Sequence, residues 1–111
     1  TEHCNLNCKG CYHFSPLSEP DFLSVEEFEN DLKQMASLCK DNVYAITLLG
    51  GEPLLHPDVV YFFEIVRKYF PNCKVSLLTN GSILAYRLFS VLPVALLGLL
   101  GITHYVVLNT P

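Results

Sequence analysis

Residues 43–53, with the sequence VYAITLLGGEP, are the most informative segment for the architecture of this 111-residue chain. Positions 43–49 form an almost uninterrupted apolar run rich in strand-forming residues, which is typical of a strand covered on both faces. Gly50 and Gly51 end the run, and Glu52 and Pro53 follow. Strands of this kind belong to parallel sheets, whose connections are usually helical, so helices are expected on either side.

A first helix is expected before this strand. Ser24 and Glu27 have the spacing of a capping box, in which two side chains satisfy the free backbone amides at a helix start. One apolar stripe follows at helical spacing and consists of Phe28, Leu32, Met35, Ala36 and Cys39. The pattern predicts a helix with one buried face that ends near residues 40–42, with Cys39 as a small apolar core residue.

A second helix is expected after the strand. It should begin at Pro57, because the fixed φ of proline suits the first helical position, and Asp58 lies favourably near the positive end of the helix dipole. Its buried stripe consists of Val59, Phe62, Phe63, Val66 and Phe70. Pro71 ends the helix, and His56 is predicted to cap or pack at its start.

Two further apolar segments, residues 74–79 and 103–108, predict strands, whereas residues 82–101 give no clear pattern. The order strand, helix, strand, long connection, strand is that of βαβ units, which predicts an α/β fold with a parallel sheet. Ligands of such sheets bind at the carboxyl ends of the strands. Polar or glycine-rich groups follow all three predicted strands there, at residues 50–52, 79–81 and 109–110.

The cysteines suggest metal chemistry rather than disulfides. Cys4, Cys8 and Cys11 fall within eight residues, whereas Cys39 and Cys73 stand alone, and Cys73 is expected to be inert. Three close thiols in an odd total are a poor disulfide framework and a good set of metal ligands, which points to a reducing compartment. A [4Fe–4S] cluster needs four ligands, so three cysteines would leave one iron open to a small molecule.

The spacing Cys4-x3-Cys8-x2-Cys11 resembles the signature of the radical S-adenosylmethionine (radical SAM) superfamily. Residues 50–53, Gly-Gly-Glu-Pro, look like the second motif of that family and follow the strand after the first helix, as they do there. Residues 79–81, Thr-Asn-Gly, are similar to the segment that ends its next strand. The order of these motifs makes chance a poor explanation, and the resemblance covers about residues 3–84.

The resemblance implies a partial (βα) barrel with a parallel sheet. The family core has about six βα units, and its cysteine loop follows the first strand. This chain would then hold about three units and be a piece of a larger protein. It would form one partial core domain over residues 1–111, with the cluster loop at residues 3–14 and the βα units at about residues 24–109.

The resemblance also implies the chemistry. Cys4, Cys8 and Cys11 would hold a [4Fe–4S] cluster whose fourth iron is chelated by S-adenosylmethionine (SAM). Reductive cleavage of SAM would give a 5′-deoxyadenosyl radical that abstracts hydrogen from an unknown substrate, a peptide or a small molecule. An external electron donor such as flavodoxin or ferredoxin would supply the electron.

The other implied site residues surround SAM. Gly50 and Gly51 would let the backbone approach the methionine moiety, and Glu52 would accept a hydrogen bond from its amino group. Asn80 would make a polar contact with cofactor or substrate. Tyr12 would contribute to the adenine pocket.

Two other interpretations stay open at this stage. The protein could be a non-catalytic module in which the three cysteines hold zinc together with His3 or His13, or in which a closed cluster staples the loop; residues 50–53 would then be unexplained. It could also be an inactive truncated fragment, because 50% apolar and 16% charged residues leave little polar surface for so small a chain.

Charge and hydropathy exclude several functions. The net charge is −4, and the seven Lys and Arg never cluster beyond a pair, which argues against nucleic acid binding. The longest apolar window, residues 88–102, contains Ser90 and Pro93 and is shorter than the roughly 20 residues of a membrane span. We therefore expect a cytoplasmic protein without a membrane span or secretion signal.

Overall fold

The computed structural model describes residues 1–39 and 42–83 together with the backbone of residues 105–108. In chain order it contains helix α1 (Val25–Cys39), strand β1 (Ala45–Leu48), helix α2 (Val59–Tyr69), strand β2 (Lys74–Thr79) and strand β3 (Tyr105–Leu108). Short 3-10 turns at Ser15–Leu17 and Pro53–Leu55 precede the two helices. The predicted α/β architecture is confirmed.

The three strands form one parallel sheet in the order β1-β2-β3. Strand β2 has the predicted bounds, and β1 is shorter than the predicted 43–49. Strand β3 begins at Tyr105, while positions 103 and 104 of the prediction lie outside the described residues. The apolar window at 88–102 and the polar pair at 109–110 also lie outside them. Neither described helix has the length and apolarity of a membrane span.

Helix α1 begins with the predicted capping box. The Ser24 hydroxyl donates to Glu27 Oε2 at 2.7 Å, and the Glu27 amide donates back to Ser24 Oγ at 3.2 Å. The Ser24 backbone amide also reaches Glu27 Oε2, at 3.2 Å. The two bonds that Ser24 donates to the Glu27 carboxylate, the hydroxyl bond first and the backbone bond second, lower the pKa of Glu27. The first turn of α1 is therefore fixed by residues adjacent in sequence.

The core lies between the two helices and one face of the sheet. Phe28 of α1 stacks on Phe62 of α2 with ring centroids 4.4 Å apart, and Leu32 of α1 is also buried in the core. Met35 and Ala36 pack against the core, but Cys39 is exposed. The prediction of Cys39 as a core residue is wrong, because the core under α1 ends at Met35 and Ala36.

Helix α2 supplies most of the core, and the predicted stripe is confirmed. Its buried residues are Val59, Phe62, Phe63, Ile65 and Val66, followed by Phe70 just past its end. The helix begins at Val59 rather than Pro57 because His56 Nδ1 accepts the Asp58 amide at 3.0 Å, which holds residues 57 and 58 in a turn. His56 Nε2 then donates to the Leu23 carbonyl at 2.8 Å, so the predicted packing role of His56 is confirmed.

The sheet is covered on one face in the described part of the chain. Leu48 of β1 is buried, whereas Ala45 and Thr47 are exposed, so the prediction of a strand covered on both faces is wrong for β1. Strand β2 also has one buried face, and Ser76 and Leu78 on its other face are half-buried. Both described helices pack against the face that carries Leu48, and on the other face Thr47 Oγ1 lies 2.8 Å from Ser76 Oγ.

Candidate functional site

The site begins where the N-terminal segment, residues 1–3, lies against the turn after β1. The Gly51 amide donates to the Thr1 carbonyl at 3.0 Å, and the Glu52 amide donates to the His3 carbonyl at 2.9 Å. A Cβ at Gly50 would lie 2.2 Å from the Thr1 oxygen, and one at Gly51 would lie 2.2 Å from the His3 oxygen. Both glycines are thus required by the segment that leads into Cys4.

Glu52 joins the ends of β1 and β2 through a completely buried carboxyl group. Its Oε1 accepts the Leu54 amide at 2.9 Å and the Thr79 hydroxyl at 2.7 Å. Its Oε2 accepts the Asn80 amide at 2.8 Å. The carboxyl ends of the two strands therefore meet at one edge, as the sequence predicts, and Glu52 links them.

The cysteine loop carries the three thiols of the first motif. Cys4, Cys8 and Cys11 are free and half-buried, and residues 4–11 contain no helix or strand. The Ser15 backbone amide lowers the pKa of the Cys11 thiol, against a smaller opposing effect of desolvation. A lowered pKa favours the thiolate, which is the form that binds metals. Ser15 itself is buried, and its hydroxyl makes no hydrogen bond of normal geometry.

The donor set fits an iron–sulfur cluster by its chemistry. Three free thiols with access to solvent lie on one loop, and backbone or side-chain N–H groups face Cys4 and Cys11. Across the described ranges, no three His, Cys, Asp or Glu side chains are close enough to hold a metal ion. This finding applies equally to the three cysteines and to the zinc alternative, so metal binding requires the loop to draw its ligands together.

Asn80 and Tyr12, the remaining predicted site residues, differ in their surroundings. The Asn80 side chain contacts the cysteine loop, with Nδ2 at 3.1 Å from Asn5 Oδ1 and 3.6 Å from Cys4 Sγ. Tyr12 is 95% exposed. Of the zinc candidates, His3 Nδ1 lies 3.0 Å from the Ser18 carbonyl, and His13 is exposed.

Three polar residues that shape this edge had no individual role predicted from the sequence. Thr79 binds Glu52, Asn5 binds Asn80, and the Asn5 amide donates to Ser82 Oγ at 2.8 Å. Asn5 lies next to a motif cysteine, and Thr79 and Ser82 flank the Asn-Gly pair. These positions beside the motifs were the sequence signal that could have indicated a role at this edge. Their partners lie 27 to 77 residues away in sequence, and such contacts are not visible in the local pattern.

The family model described as the Radical SAM superfamily matches residues 1–102. The chain belongs to the radical SAM superfamily. Over 88 residues it is 39% identical to a probable GTP 3′,8-cyclase of Methanocella arvoryzae. The aligned segment covers 78% of the chain and 26% of the cyclase. Over 85 residues it is 29% identical to the GTP 3′,8-cyclase of Aliarcobacter butzleri. This aligned segment covers 77% of the chain and 26% of that protein.

A third relative is named for a different function. The chain is 35% identical over 85 residues to the antilisterial bacteriocin subtilosin biosynthesis protein AlbA of Bacillus subtilis, covering 76% of the chain and 18% of AlbA. The chain thus spans about a quarter or less of these relatives. Radical SAM enzymes use a [4Fe–4S] cluster and SAM, and the α/β structure with its parallel sheet is consistent with part of their (βα) fold.

Proposed function

We propose that this radical SAM protein binds a [4Fe–4S] cluster through Cys4, Cys8 and Cys11 and binds SAM at the carboxyl edge of the sheet. When bound, the cluster and SAM together supply a 5′-deoxyadenosyl radical that abstracts hydrogen from a substrate. The observation that carries the proposal is the docking of the cysteine loop on this edge. The loop is tied to the end of β1 through residues 1–3 and to the end of β2 through Asn5 and Asn80.

The proposed SAM site uses the residues at this edge. The backbone at Gly50 and Gly51 would approach the methionine moiety, and Tyr12, exposed directly after Cys11, is free to pack on the adenine ring. Within the described residues, Glu52 Oε2 accepts only one hydrogen bond, so it has capacity for another. Because Glu52 is buried, Oε2 must become accessible before it can bind the SAM amino group directly. Asn80 is half-buried at the same edge and completes the proposed polar lining.

The proposed partners follow from the same chemistry. An external donor such as flavodoxin or ferredoxin would deliver the electron, and the substrate is a small molecule or a peptide. The relatives are named for GTP cyclisation and for bacteriocin biosynthesis, so the part that they share with this chain fits a common cofactor unit. We propose that residues 1–111 form one partial core domain of this type and that the protein acts in the cytoplasm.

The test is anaerobic reconstitution with iron and sulfide, comparing the wild-type chain with Cys8→Ala and Cys39→Ala. The wild type should bind a cluster with broad visible absorption, and Cys8→Ala should lose most of the iron because one of three local ligands is missing. Cys39→Ala is the matched control, since Cys39 is exposed at the end of α1, outside the cysteine loop, and should leave the iron content unchanged.

Two results would contradict the proposal. Iron content in Cys8→Ala equal to that of the wild type would remove the assigned ligands. A wild-type chain that takes up colourless zinc but no iron–sulfur cluster would instead support the non-catalytic metal module.

A further inference from the structure

The end of β2 and the cysteine loop are joined by a small set of side-chain hydrogen bonds. Asn80 Nδ2 donates to Asn5 Oδ1 at 3.1 Å and lies 3.6 Å from Cys4 Sγ. Asn5 Nδ2 in turn donates to Ser82 Oγ at 2.8 Å. These residues lie 75 to 77 positions apart in the sequence, so the bonds fix the position of the loop relative to the sheet.

The orientation of the Asn80 amide is determined by its own neighbours. Its Oδ1 accepts the Ser82 backbone amide at 2.8 Å, so the carbonyl side points to Ser82 and the NH₂ side points to Cys4. Its backbone amide is held by the buried Glu52 at 2.8 Å. Asn80 is therefore anchored through both backbone and side chain before any cofactor binds.

We propose that Asn80 is a positioning residue for the cluster, whose side-chain amide holds the Cys4 sulfur and donates a hydrogen bond to it. The inference rests on the proposed function, in which Cys4 is a cluster ligand. Hydrogen bonds to ligating sulfurs stabilise the more negative, reduced cluster, so this contact raises the reduction potential. The Leu6 backbone amide, 3.5 Å from Cys4 Sγ, is a second donor to the same sulfur.

A purely structural role makes a different prediction. The bond from the Ser82 amide to Asn80 Oδ1 spans two residues and is an Asx turn, which asparagine forms in many proteins without any ligand. Asn80→Asp separates the two roles, because aspartate keeps the turn acceptor and replaces the NH₂ donor with an oxygen. Asn80→Ala removes the donor without adding charge.

The experiment measures the midpoint potential of the reconstituted cluster by an EPR-monitored titration and the loss of iron to a chelator. Asn80→Asp and Asn80→Ala should both shift the potential to more negative values, and the loss of an outer-shell contact should weaken iron retention about tenfold. Asn5→Asp adds the same charge beside Cys4 but keeps the Asn80 donor, so its shift should be smaller than that of Asn80→Asp. Ser37→Ala, on an exposed part of α1 and outside this set of bonds, is the control and should leave the potential unchanged.

A second measurement needs no cluster. In the metal-free chain, hydrogen exchange of the Leu6 backbone amide should become severalfold faster in Asn80→Ala, because the loop loses its tie to β2. Unchanged Leu6 exchange overturns the positioning role whether or not a cluster binds, and an unchanged potential in Asn80→Ala overturns the donor role. If the wild type binds no cluster, the proposed function fails, and Leu6 exchange still decides the positioning role of Asn80.

Discussion

Glu52 is a buried side chain whose hydrogen bonds to the chain make it part of the scaffold. In Glu52→Gln one carboxyl oxygen becomes an NH₂ group, and in either orientation this group faces the backbone amide of Leu54 or of Asn80. A buried amide then loses its acceptor, so we expect the metal-free chain to lose about 2 kcal/mol of unfolding free energy. Urea denaturation measures this, and unchanged stability with weakened SAM binding would indicate a ligand role alone.

Thr79 gives a second test of the hydrogen bonds around Glu52. Thr79→Val removes the hydroxyl that donates to Glu52 and accepts the Gly81 amide, and it should cost about 1 kcal/mol. Thr47→Val makes the same chemical change on the neighbouring strand, where the side chain is exposed, and should change stability by less than about 0.5 kcal/mol. Equal losses of unfolding free energy in the two variants would contradict a special role for the hydrogen bonds around Glu52.

At the scale of a secondary-structure element, the capping box of α1 gives a direct test. Ser24→Ala removes the acceptor of the Glu27 backbone amide and should destabilise the chain by about 1 kcal/mol in thermal or urea unfolding. Ser37→Ala lies on an exposed part of the same helix and should be neutral or slightly stabilising, since alanine is the better helix former. A loss from Ser37→Ala as large as that from Ser24→Ala would contradict the role of the cap.

The same cap predicts a pH dependence. The pKa of Glu27 is lowered from its ordinary value of 4.5 in the folded chain, chiefly by the Ser24 hydroxyl. The unfolded chain therefore takes up the Glu27 proton first as pH falls, and the stabilisation is present above pH 4.5 and lost below it. The stability difference between wild type and Ser24→Ala should shrink as pH falls below this value.

The elements were predictable because their signals are local. The capping box, the apolar stripe of α2 and the bounds of β2 depend on residues close in sequence, and the structure has them where the sequence places them. The exposure of Cys39 and of one face of β1 was not predictable, because it depends on what packs against them. The later start of α2, at Val59 instead of Pro57, was also not predictable, because it depends on the bond from the Asp58 amide to His56, which the helix pattern does not contain.

For the whole molecule, the sequence predicted which segments meet at the sheet edge but not the contacts between them. The sequence predicts that residues 50–52 and 79–81 meet, because the carboxyl ends of parallel strands share an edge. It does not show that Glu52 bonds to Thr79 and Asn80, nor that residues 1–3 occupy the space beside Gly50 and Gly51. These contacts join distant segments, and only the assembled sheet brings them together.

The close approach of the N-terminal segment to Gly51 predicts a large effect of a small substitution. A Cβ in Gly51→Ala would lie 2.2 Å from the His3 carbonyl oxygen and 2.4 Å from that of Glu2, so the segment must move away. The backbone bonds to Thr1 and His3 are then lost, at about 1 kcal/mol each, and the Glu52 amide should exchange faster with solvent. Gly10→Ala is the matched control, because nothing lies within 4 Å of a Cβ at that position. Unchanged stability and an unchanged Glu52 exchange rate in Gly51→Ala would show that this contact does not hold the start of the cysteine loop.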